Sequence, residues 1–258
     1  MTRFLGLFEF DGAPFMGWQR QKHGASVQGA IEAALLKITG ENVTVQGCGR
    51  TDTGVHALAM PAHFDIAQDK FDANRVREAL NAVLRPDPIA ALEIFEVPGD
   101  FNARFDCLRR HYRYQIWNRR PDLAVGLGRW WHVKGALDID AMREAAGLLI
   151  GKHDFTSFRA SECQAASPLK TLDHLEVSQL DDEQLVVTAH AKSFLHHQVR
   201  NMVGTLVDIG LGRWEPQDIS QMLAAKDRHA AGRTAPAEGL FFVKADYAQQ
   251  FSSVYGGG

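Results

Sequence analysis

The residues best suited to chemistry lie in one short run, Gly49-Arg50-Thr51-Asp52-Thr53-Gly54-Val55-His56-Ala57. Its glycines permit positive φ angles and let the backbone approach a ligand closely. In an extended loop, residues two positions apart project to the same side, so the guanidinium of Arg50 can lie near the carboxylate of Asp52. Such a carboxylate can act as a nucleophile or as a general acid or base. A hairpin turn with a surface ion pair would have the same composition, and the residue types alone favour neither interpretation.

The elements that hold this run are predicted from the spacing of apolar residues in the first half of the chain. Apolar residues alternate in four segments and recur at helical spacing in two others. Ser26 and Asp72 can cap the two helices, and Gly40 can end the first of them. The run itself falls between the second and third strands. The predicted order is βαββαβ, with strands at 3–10, 43–48, 62–66 and 89–95 and helices at 26–39 and 73–84.

The second half of the chain shows the same pattern. We predict strands at 112–116, 172–178, 184–192 and 240–246, helices at 140–150 and 197–209, and a short helix near 218–225. Two such units in tandem predict an α+β protein with two tandem ferredoxin-like βαββαβ domains, mainly antiparallel sheets and an active-site cleft between the domains. We expect an N-terminal catalytic-loop domain at 1–106, a C-terminal domain at 107–248 and a flexible tail at 249–258.

The composition is that of an ordinary globular protein, with 45% hydrophobic and 23% charged residues. The formal net charge is −3, so bulk charge does not indicate a polyanionic partner, and an RNA-binding hypothesis must rest on where the arginines lie. The three cysteines are odd in number and widely spaced, which favours reduced thiols over a disulfide framework or a zinc site. No run approaches the ~18 apolar residues of a membrane span, so a cytoplasmic protein is expected.

Basic residues concentrate around the predicted domain junction. Between residues 107 and 120 there are five arginines and no acidic residue, and Tyr112, Tyr114 and Trp117 are interleaved with them. A charge run of this kind is usually a solvated face. Beside a pocket that binds RNA, the same arginines would contact phosphates. The side chains expected to make such contacts are those of Arg104, Arg109, Arg110, Arg113, Lys152 and Arg159, with Lys226 and Arg228 extending the surface.

The nine-residue run resembles the catalytic segment GRTDAGVHA of the TruA family of tRNA pseudouridine synthases, with Thr53 in place of the usual alanine. Other segments resemble further blocks of that family and follow its order along the chain. They are Asp11-Gly12 with Phe15, Gly17, Trp18 and Gln19; Phe101 to Phe105; Tyr112 to Tyr114; Phe155 to Arg159; Phe194 to Gly204; Ala224 to Arg228; and Glu238 to Leu240.

The resemblance implies a role for five side chains. Asp52 would be the nucleophilic carboxylate, and Arg200 would be the partner that keeps it charged and oriented. Tyr112 would stack on the uracil, Arg50 would replace the flipped base or hold its phosphate, and Leu240 would form an apolar wall of the pocket. Without the resemblance, Tyr112 would be interpreted as an inward strand residue and Arg200 as an exposed helix arginine.

The resemblance also implies the reaction and the partners. Members of the family act as homodimers that convert uridine to pseudouridine at positions 38, 39 and 40 of the tRNA anticodon stem-loop.

The uracil never leaves, so no cofactor is expected, and no metal is expected either. His196 and His197 are adjacent and diverge on a helix, no HExxH pattern is present, and the GxxxGK run from Gly147 to Lys152 lacks a spacer and the Ser/Thr of a P-loop.

Two other functions are compatible with the same fold. The first is a non-catalytic protein that binds RNA or chaperones tRNA, and the presence of Asp52, Arg50 and Tyr112 argues against it. The second is an enzyme that uses Asp52 as a general acid or base on a small molecule. No cofactor or metal constellation in the sequence supports this second function.

Overall fold

A computed structural model describes residues 1–67 and 71–248. The tail predicted at 249–258 lies outside the described residues. The fold is mixed α+β with mainly antiparallel sheet, as the sequence predicts, and the described residues form five α-helices. The described residues divide into two compact units, the first made of residues 1–67, 71–110 and 242–248, the second of His111–Phe241. The chain passes from one unit to the other at 110/111 and again at 241/242, and both points lie inside a strand. The boundary predicted at 106/107 separates two domains that fold independently, and it stays a prediction.

The first unit has the predicted order of elements. β1 pairs antiparallel with both β3 and β4, and β2 pairs antiparallel with β3. The two helices begin at the predicted caps, since Ser26 and Asp72 each accept a hydrogen bond from a backbone N–H in the first helical turn. The elements are β1 (Thr2–Phe10), α1 (Val27–Thr39), β2 (Gln46–Gly47), β3 (His56–Ile66), α2 (Ala73–Val83) and β4 (Ile89–Val97).

The core of the first unit lies between its sheet and its two helices. The apolar side chains that alternate on the strands and recur at helical spacing on the helices are buried, which removes their apolar surface from water. The fully buried ones include Phe4, Phe8 and Phe64 on the strands and Ile31, Leu35, Val76 and Leu80 on the helices.

The second unit is built around a sheet with the strand order β5-β10-β9, to which β6 adds in parallel beside β5. β7 and β8 form a separate antiparallel pair. Every residue of α4 except Arg200 is buried, so this helix forms the centre of the unit. The elements are β5 (Arg109–Asn118), β6 (Trp131–Val133), α3 (Ile139–Leu149), β7 (Gly151–Asp154), β8 (Leu169–Leu172), β9 (His174–Gln179), β10 (Gln184–Ala191), α4 (Gln198–Gly210), α5 (Asp218–Ala225) and β11 (Leu240–Asp246), whose last five residues belong to the first unit beside β3.

Some strands differ from the sequence prediction. The strand predicted at 43–48 shrinks to the two residues of β2, because side chains of α1 hold the backbone before it. The N–H of Val45 donates to the carboxylate of Glu32 at 3.1 Å, and its carbonyl oxygen accepts from the amide of Gln28 at 3.0 Å. The strand predicted at 62–66 begins earlier, at His56, so the nine-residue run ends inside β3. Strands β6, β7 and β8 were not predicted, since three or four residues are too few for a periodic signal.

The three cysteines are free, in agreement with the prediction of reduced thiols. Burial raises the pKa of the Cys48 thiol far above its ordinary value, so this thiol is not activated for chemistry. Among the described residues, none of the helices combines the length and the apolar character that a membrane crossing requires.

Candidate active site

Asp52 lies on a tight turn in the loop between β2 and β3. The carbonyl oxygen of Asp52 accepts a hydrogen bond from the N–H of Val55 at 3.1 Å. Gly54, the third residue of this turn, has a φ of 80°, the sign that a type II turn requires there. The Asp52 side chain is half-buried, whereas Arg50 and Thr53 are exposed. The loop therefore presents a carboxylate and a guanidinium from the same short stretch of backbone.

The segment 11–18 packs against this turn and holds it in place. The N–H of Trp18 donates to the carbonyl oxygen of Thr51 at 3.2 Å. A β-carbon on Gly12 would overlap the carbonyl group of Val55, and a β-carbon on Gly17 would overlap the carbonyl oxygen of Thr51. The two glycines are thus required because the backbone of the Asp52 loop passes directly beside them.

Trp18 anchors the same segment in the core of the first unit. Its side chain is 2% exposed and its ring centroid lies 6.0 Å from that of Phe10. The indole covers Gly47, where an added β-carbon would lie 2.6 Å from the ring. The carbonyl oxygen of Trp18 accepts from the N–H of Gln28 at 2.9 Å, which ties the segment to α1. The Asp52 loop is therefore supported by a rigid neighbour.

His56 connects the start of β3 to the segment 11–18. It is 2% exposed, and its Nδ1 accepts a hydrogen bond from the N–H of Gly12 at 3.0 Å. A carboxylate oxygen of Asp11 lies equally close to Nδ1. Two consecutive residues of the segment 11–18, Asp11 and Gly12, thus meet the same nitrogen of His56. The sequence analysis did not assign this supporting role to His56. The signal that could have indicated it is a histidine at a strand position whose side chain points inward.

In the second unit, two tyrosines of β5 have different surroundings. Tyr112 is 9% exposed and packs edge-to-face on Phe194, with ring centroids 5.2 Å apart. Tyr114 is fully buried, and its hydroxyl donates to the carbonyl oxygen of Pro236 at 2.7 Å. Burial raises the pKa of Tyr114 well above its ordinary value. Tyr114 is therefore a structural residue, while Tyr112, also buried, is the one of the pair that keeps a small exposed fraction.

Arg200 is the half-buried residue of the otherwise buried helix α4. Its Nε donates to the carbonyl oxygen of Ala235 at 2.8 Å, and the N–H of Ala235 donates to the carbonyl oxygen of Arg200 at 3.1 Å. This pair of bonds fixes the direction of the guanidinium. Leu240, which begins β11, is 4% exposed and follows the same segment of chain.

Five of the basic residues expected to contact RNA have exposed or half-exposed side chains. Arg104 and Lys152 are exposed, as is Arg109, which lies 3.9 Å from Asp246, and Arg159 is half-exposed. Arg113 is half-exposed, with its guanidinium 5.5 Å from the ring centroid of Phe241.

Two further arginines of this set bind the protein itself through their guanidinium groups. Arg110 is 9% exposed and donates to the carbonyl oxygens of Cys48 and Arg104, with Nε 3.1 Å from the first. Arg228 donates to the carbonyl oxygens of Ala231 and Gly232, and burial lowers its pKa. Both guanidinium groups hold backbone in place, which favours a structural role over a phosphate contact.

The chain matches a family model described as tRNA pseudouridine synthase over residues 7–106 and 145–248. It is 56% identical over 247 residues to the tRNA pseudouridine synthase A of Rhodospirillum centenum, and the match covers 96% of this chain and 100% of that protein. Proteins of the same name from Rhodopseudomonas palustris (strain BisB5) and Zymomonas mobilis are 56% and 53% identical, with the same coverage.

Among solved structures, the chain is similar to one described as the crystal structure of a Cbf5-Nop10-Gar1 complex. The match covers 93% of this chain and 48% of that chain, at 11% identity and a TM-score of 0.37.

Proposed function

Because the chain belongs to the tRNA pseudouridine synthase family, it is an isomerase that converts uridine to pseudouridine in tRNA, and we propose that Asp52 is its nucleophile. The observation that carries this proposal is the way neighbouring backbone holds the Asp52 turn in place. Backbone contacts from Gly12, Gly17 and Trp18 hold the turn, and the carboxylate is half-buried at its start. A reacting group held by such contacts keeps its position through the reaction, which lowers the entropic part of the barrier.

The reaction breaks the C1′–N1 bond of uridine and forms a C1′–C5 bond. N1 gains a proton and C5 loses one, so no atom is added or lost overall. In our proposal, the carboxylate of Asp52 attacks or stabilises the sugar, or adds to the base, and is released when the new bond forms. All of the chemistry then lies within the substrate and the protein side chains.

A base paired in a stem cannot be reached, so the uridine must first leave the stack, at a cost of a few kcal/mol. We propose that Tyr112 stacks on the flipped uracil and that Leu240 forms an apolar wall of the pocket. Arg50 replaces the flipped base or holds its phosphate, and Arg200 binds the substrate with a guanidinium whose direction is set by Ala235. The exposure of Arg50 is compatible with its role, and Tyr112 keeps a small exposed fraction of 9%.

Phosphates of the tRNA are bound, in our proposal, by exposed basic side chains. Shape and phosphate contacts are expected to outweigh the reading of base edges, as is usual for a folded RNA stem. The side chains that we retain for this role are those of Arg104, Arg109, Arg113, Lys152 and Arg159.

Finer features rest on the motif resemblance. We propose that the modified uridines are those at positions 38, 39 and 40 of the anticodon stem-loop, that the enzyme acts as a homodimer, and that it works in the cytoplasm. The βαββαβ order of the first unit supports a ferredoxin-like fold for that part of the chain, and we propose the same fold for the second.

The decisive experiment measures pseudouridine formation by the purified wild-type protein and by Asp52→Asn on an unmodified tRNA transcript. The amide has the shape of the carboxylate but cannot act as a nucleophile, so turnover should disappear while tRNA affinity and thermal stability stay close to wild type. Thr53→Ala is the matched control, since Thr53 is exposed on the same turn. It should retain activity.

Turnover by Asp52→Asn, free of wild-type enzyme, would refute the nucleophile assignment. A wild-type protein that binds tRNA without forming pseudouridine would instead indicate a non-catalytic RNA-binding protein. Mapping pseudouridine in tRNA from cells with and without the protein tests the positions 38, 39 and 40.

A further inference from the structure

The segment from Arg228 to Leu240 is fastened along one stripe of helix α4. Besides Arg200, the helix residues that bind it are spaced three or four positions apart, which puts them on the same side of a helix. Thr205 accepts a hydrogen bond from the N–H of Gly232 at 3.1 Å, and Asn201 accepts one from the hydroxyl of Thr234 at 2.7 Å. The last member of the stripe is Asp208.

Asp208 is a buried carboxylate with several partners. Its side chain is 6% exposed, and its Oδ1 accepts from Nε and Nη2 of Arg233 at 2.9 and 2.6 Å. Its Oδ2 accepts from the N–H of Arg233 at 3.2 Å. Arg213 donates to the same Oδ1 at 2.7 Å from the turn that follows the helix. One carboxylate thus binds both the backbone and the side chain of Arg233.

The contact between α4 and this segment leaves no free space. A β-carbon on Gly204 would overlap the carbonyl oxygen of Arg233, and one on Gly232 would lie 2.8 Å from the backbone of Thr205. Two residues beyond Arg233, the chain reaches Ala235, whose carbonyl oxygen holds the Nε of Arg200. Any shift of Arg233 away from the helix therefore moves the acceptor that directs Arg200.

We infer that Asp208 is a positioning residue: by holding Arg233 on helix α4, it sets the place of Ala235 and hence the direction of the Arg200 guanidinium. This inference rests on the proposed role of Arg200 in binding the substrate. A buried carboxylate on this stripe cannot touch the RNA, so its effect on the reaction is indirect. Misplacing a reacting or orienting group by about 1 Å can cost on the order of 100-fold in rate.

The test compares single-turnover rates at saturating tRNA, tRNA dissociation constants and melting temperatures for wild type and four variants. Asp208→Asn and Arg233→Gln each remove the ion pair between Asp208 and the Arg233 side chain, and the double variant Asp208→Asn/Arg233→Gln tests whether they act together. Arg213→Gln is the matched control, since it removes a bond to the same Oδ1 from outside the segment. We expect rate losses of about 10- to 100-fold for Asp208→Asn and Arg233→Gln. Their tRNA affinities should stay within about twofold of wild type, as should the rate of Arg213→Gln.

The double variant should be no slower than Asp208→Asn alone, because both changes break one connection. The inference is overturned if the single variants melt at lower temperature yet keep the wild-type rate, since Asp208 would then serve stability alone. It is also overturned if Arg233→Gln weakens tRNA binding and leaves the saturated rate unchanged, because Arg233 would then be a phosphate contact. If Asp208→Asn does not fold, Arg233→Gln decides by itself. A wild type without activity would overturn the proposed function and this inference with it, whereas an active wild type with unaffected variants overturns the inference alone.

Discussion

Gly17 lies so close to Thr51 that a β-carbon at position 17 would overlap the carbonyl oxygen of Thr51. The same carbonyl oxygen accepts the N–H of Trp18, and Gly17 has a φ of 87°, a conformation that other residues rarely adopt. Two motifs that are more than thirty residues apart in the sequence therefore form one local structure around Asp52.

Gly17→Ala should reduce pseudouridine formation, because the new methyl group must push the Asp52 turn out of place. Gly40→Ala is the control: Gly40 also has a positive φ, at 77°, but an added β-carbon there meets open space at the end of α1. Both variants should lose about 1–2 kcal/mol of unfolding free energy from the left-handed backbone. Only Gly17→Ala should lose turnover per folded molecule, measured in a single-turnover assay. Equal turnover in the two variants would contradict the proposed support of the turn.

The salt dependence of tRNA binding should separate the exposed arginines from the buried one. Arg109→Gln and Arg113→Gln should each lower affinity modestly and flatten the slope of log K against log salt by about one unit or less. Arg110→Gln should leave the slope unchanged and lower the melting temperature, because the carbonyl oxygens of Cys48 and Arg104 lose their donor. Such a loss costs about 1–3 kcal/mol for each buried group left unpaired. If the variants at 109 and 113 kept the wild-type affinity and slope, the tRNA would have to bind elsewhere.

The two tyrosines of β5 should respond differently to substitution. Tyr112→Ala removes a proposed stacking surface worth about 1–3 kcal/mol per base, so turnover should fall sharply while the salt slope stays unchanged. Tyr114→Phe removes the hydrogen bond to the carbonyl oxygen of Pro236 and should cost about 1 kcal/mol of stability with turnover per folded molecule retained. Thermal melting and single-turnover assays on both variants check this, and normal turnover by Tyr112→Ala would remove Tyr112 from the site.

The strong local patterns of the sequence predicted the elements that hold the site, but they did not predict how distant segments support it. Helix α1 and strand β11 lie where the spacing of their apolar residues put them, since that spacing reflects burial directly. The strand predicted at 43–48 is only two residues long, because Glu32 and Gln28, on a different element, hold the backbone before it. Asp52 was predicted as the nucleophile from the resemblance of its loop to the catalytic segment of the family.

The sequence did not show why a glycine is required at position 17 or an aspartate at position 208. Each depends on the backbone of a remote segment, Thr51 for Gly17 and Arg233 for Asp208, and no local pattern encodes such a contact. The one available signal for Asp208 was a charged residue within an apolar stretch of helix, followed by Arg213 five positions later. A buried acid of this kind requires a partner, which sequence spacing alone does not name.

Removal of metal ions should leave the enzyme active. The proposed reaction rearranges bonds within the uridine and uses Asp52 as the nucleophile, so it requires no Lewis acid. Activity on a tRNA transcript should survive exhaustive chelation of the protein, once the folding of the RNA has been verified separately in the same buffer. A loss of activity that a divalent ion restores, with the RNA fold unchanged, would contradict the mechanism.

Acidification should destabilise the first unit through His63. This residue of β3 is 3% exposed, and its Nδ1 accepts the N–H of Ala103 at 3.1 Å. Burial, with a smaller contribution from the charge of Arg3, lowers the pKa of His63 below its ordinary value of 6.5. The folded protein therefore favours the neutral imidazole. Above pH 6.5 both the folded and the unfolded states are neutral, and the stabilisation is fully present. As the pH falls below this value, the unfolded chain binds a proton that the folded chain does not, so the free energy of unfolding decreases.

His63→Asn isolates this contribution, because the amide oxygen can accept the N–H of Ala103 but does not titrate over this range. The variant should lose some stability at neutral pH from the smaller side chain. Its free energy of unfolding, measured by urea denaturation, should then decrease less steeply than that of the wild type as the pH falls from 6.5 towards about 5. The difference between the two curves is the relevant quantity, since the two proteins differ only at position 63. Parallel curves would show that the protonation of His63 does not contribute to the acid sensitivity of the fold.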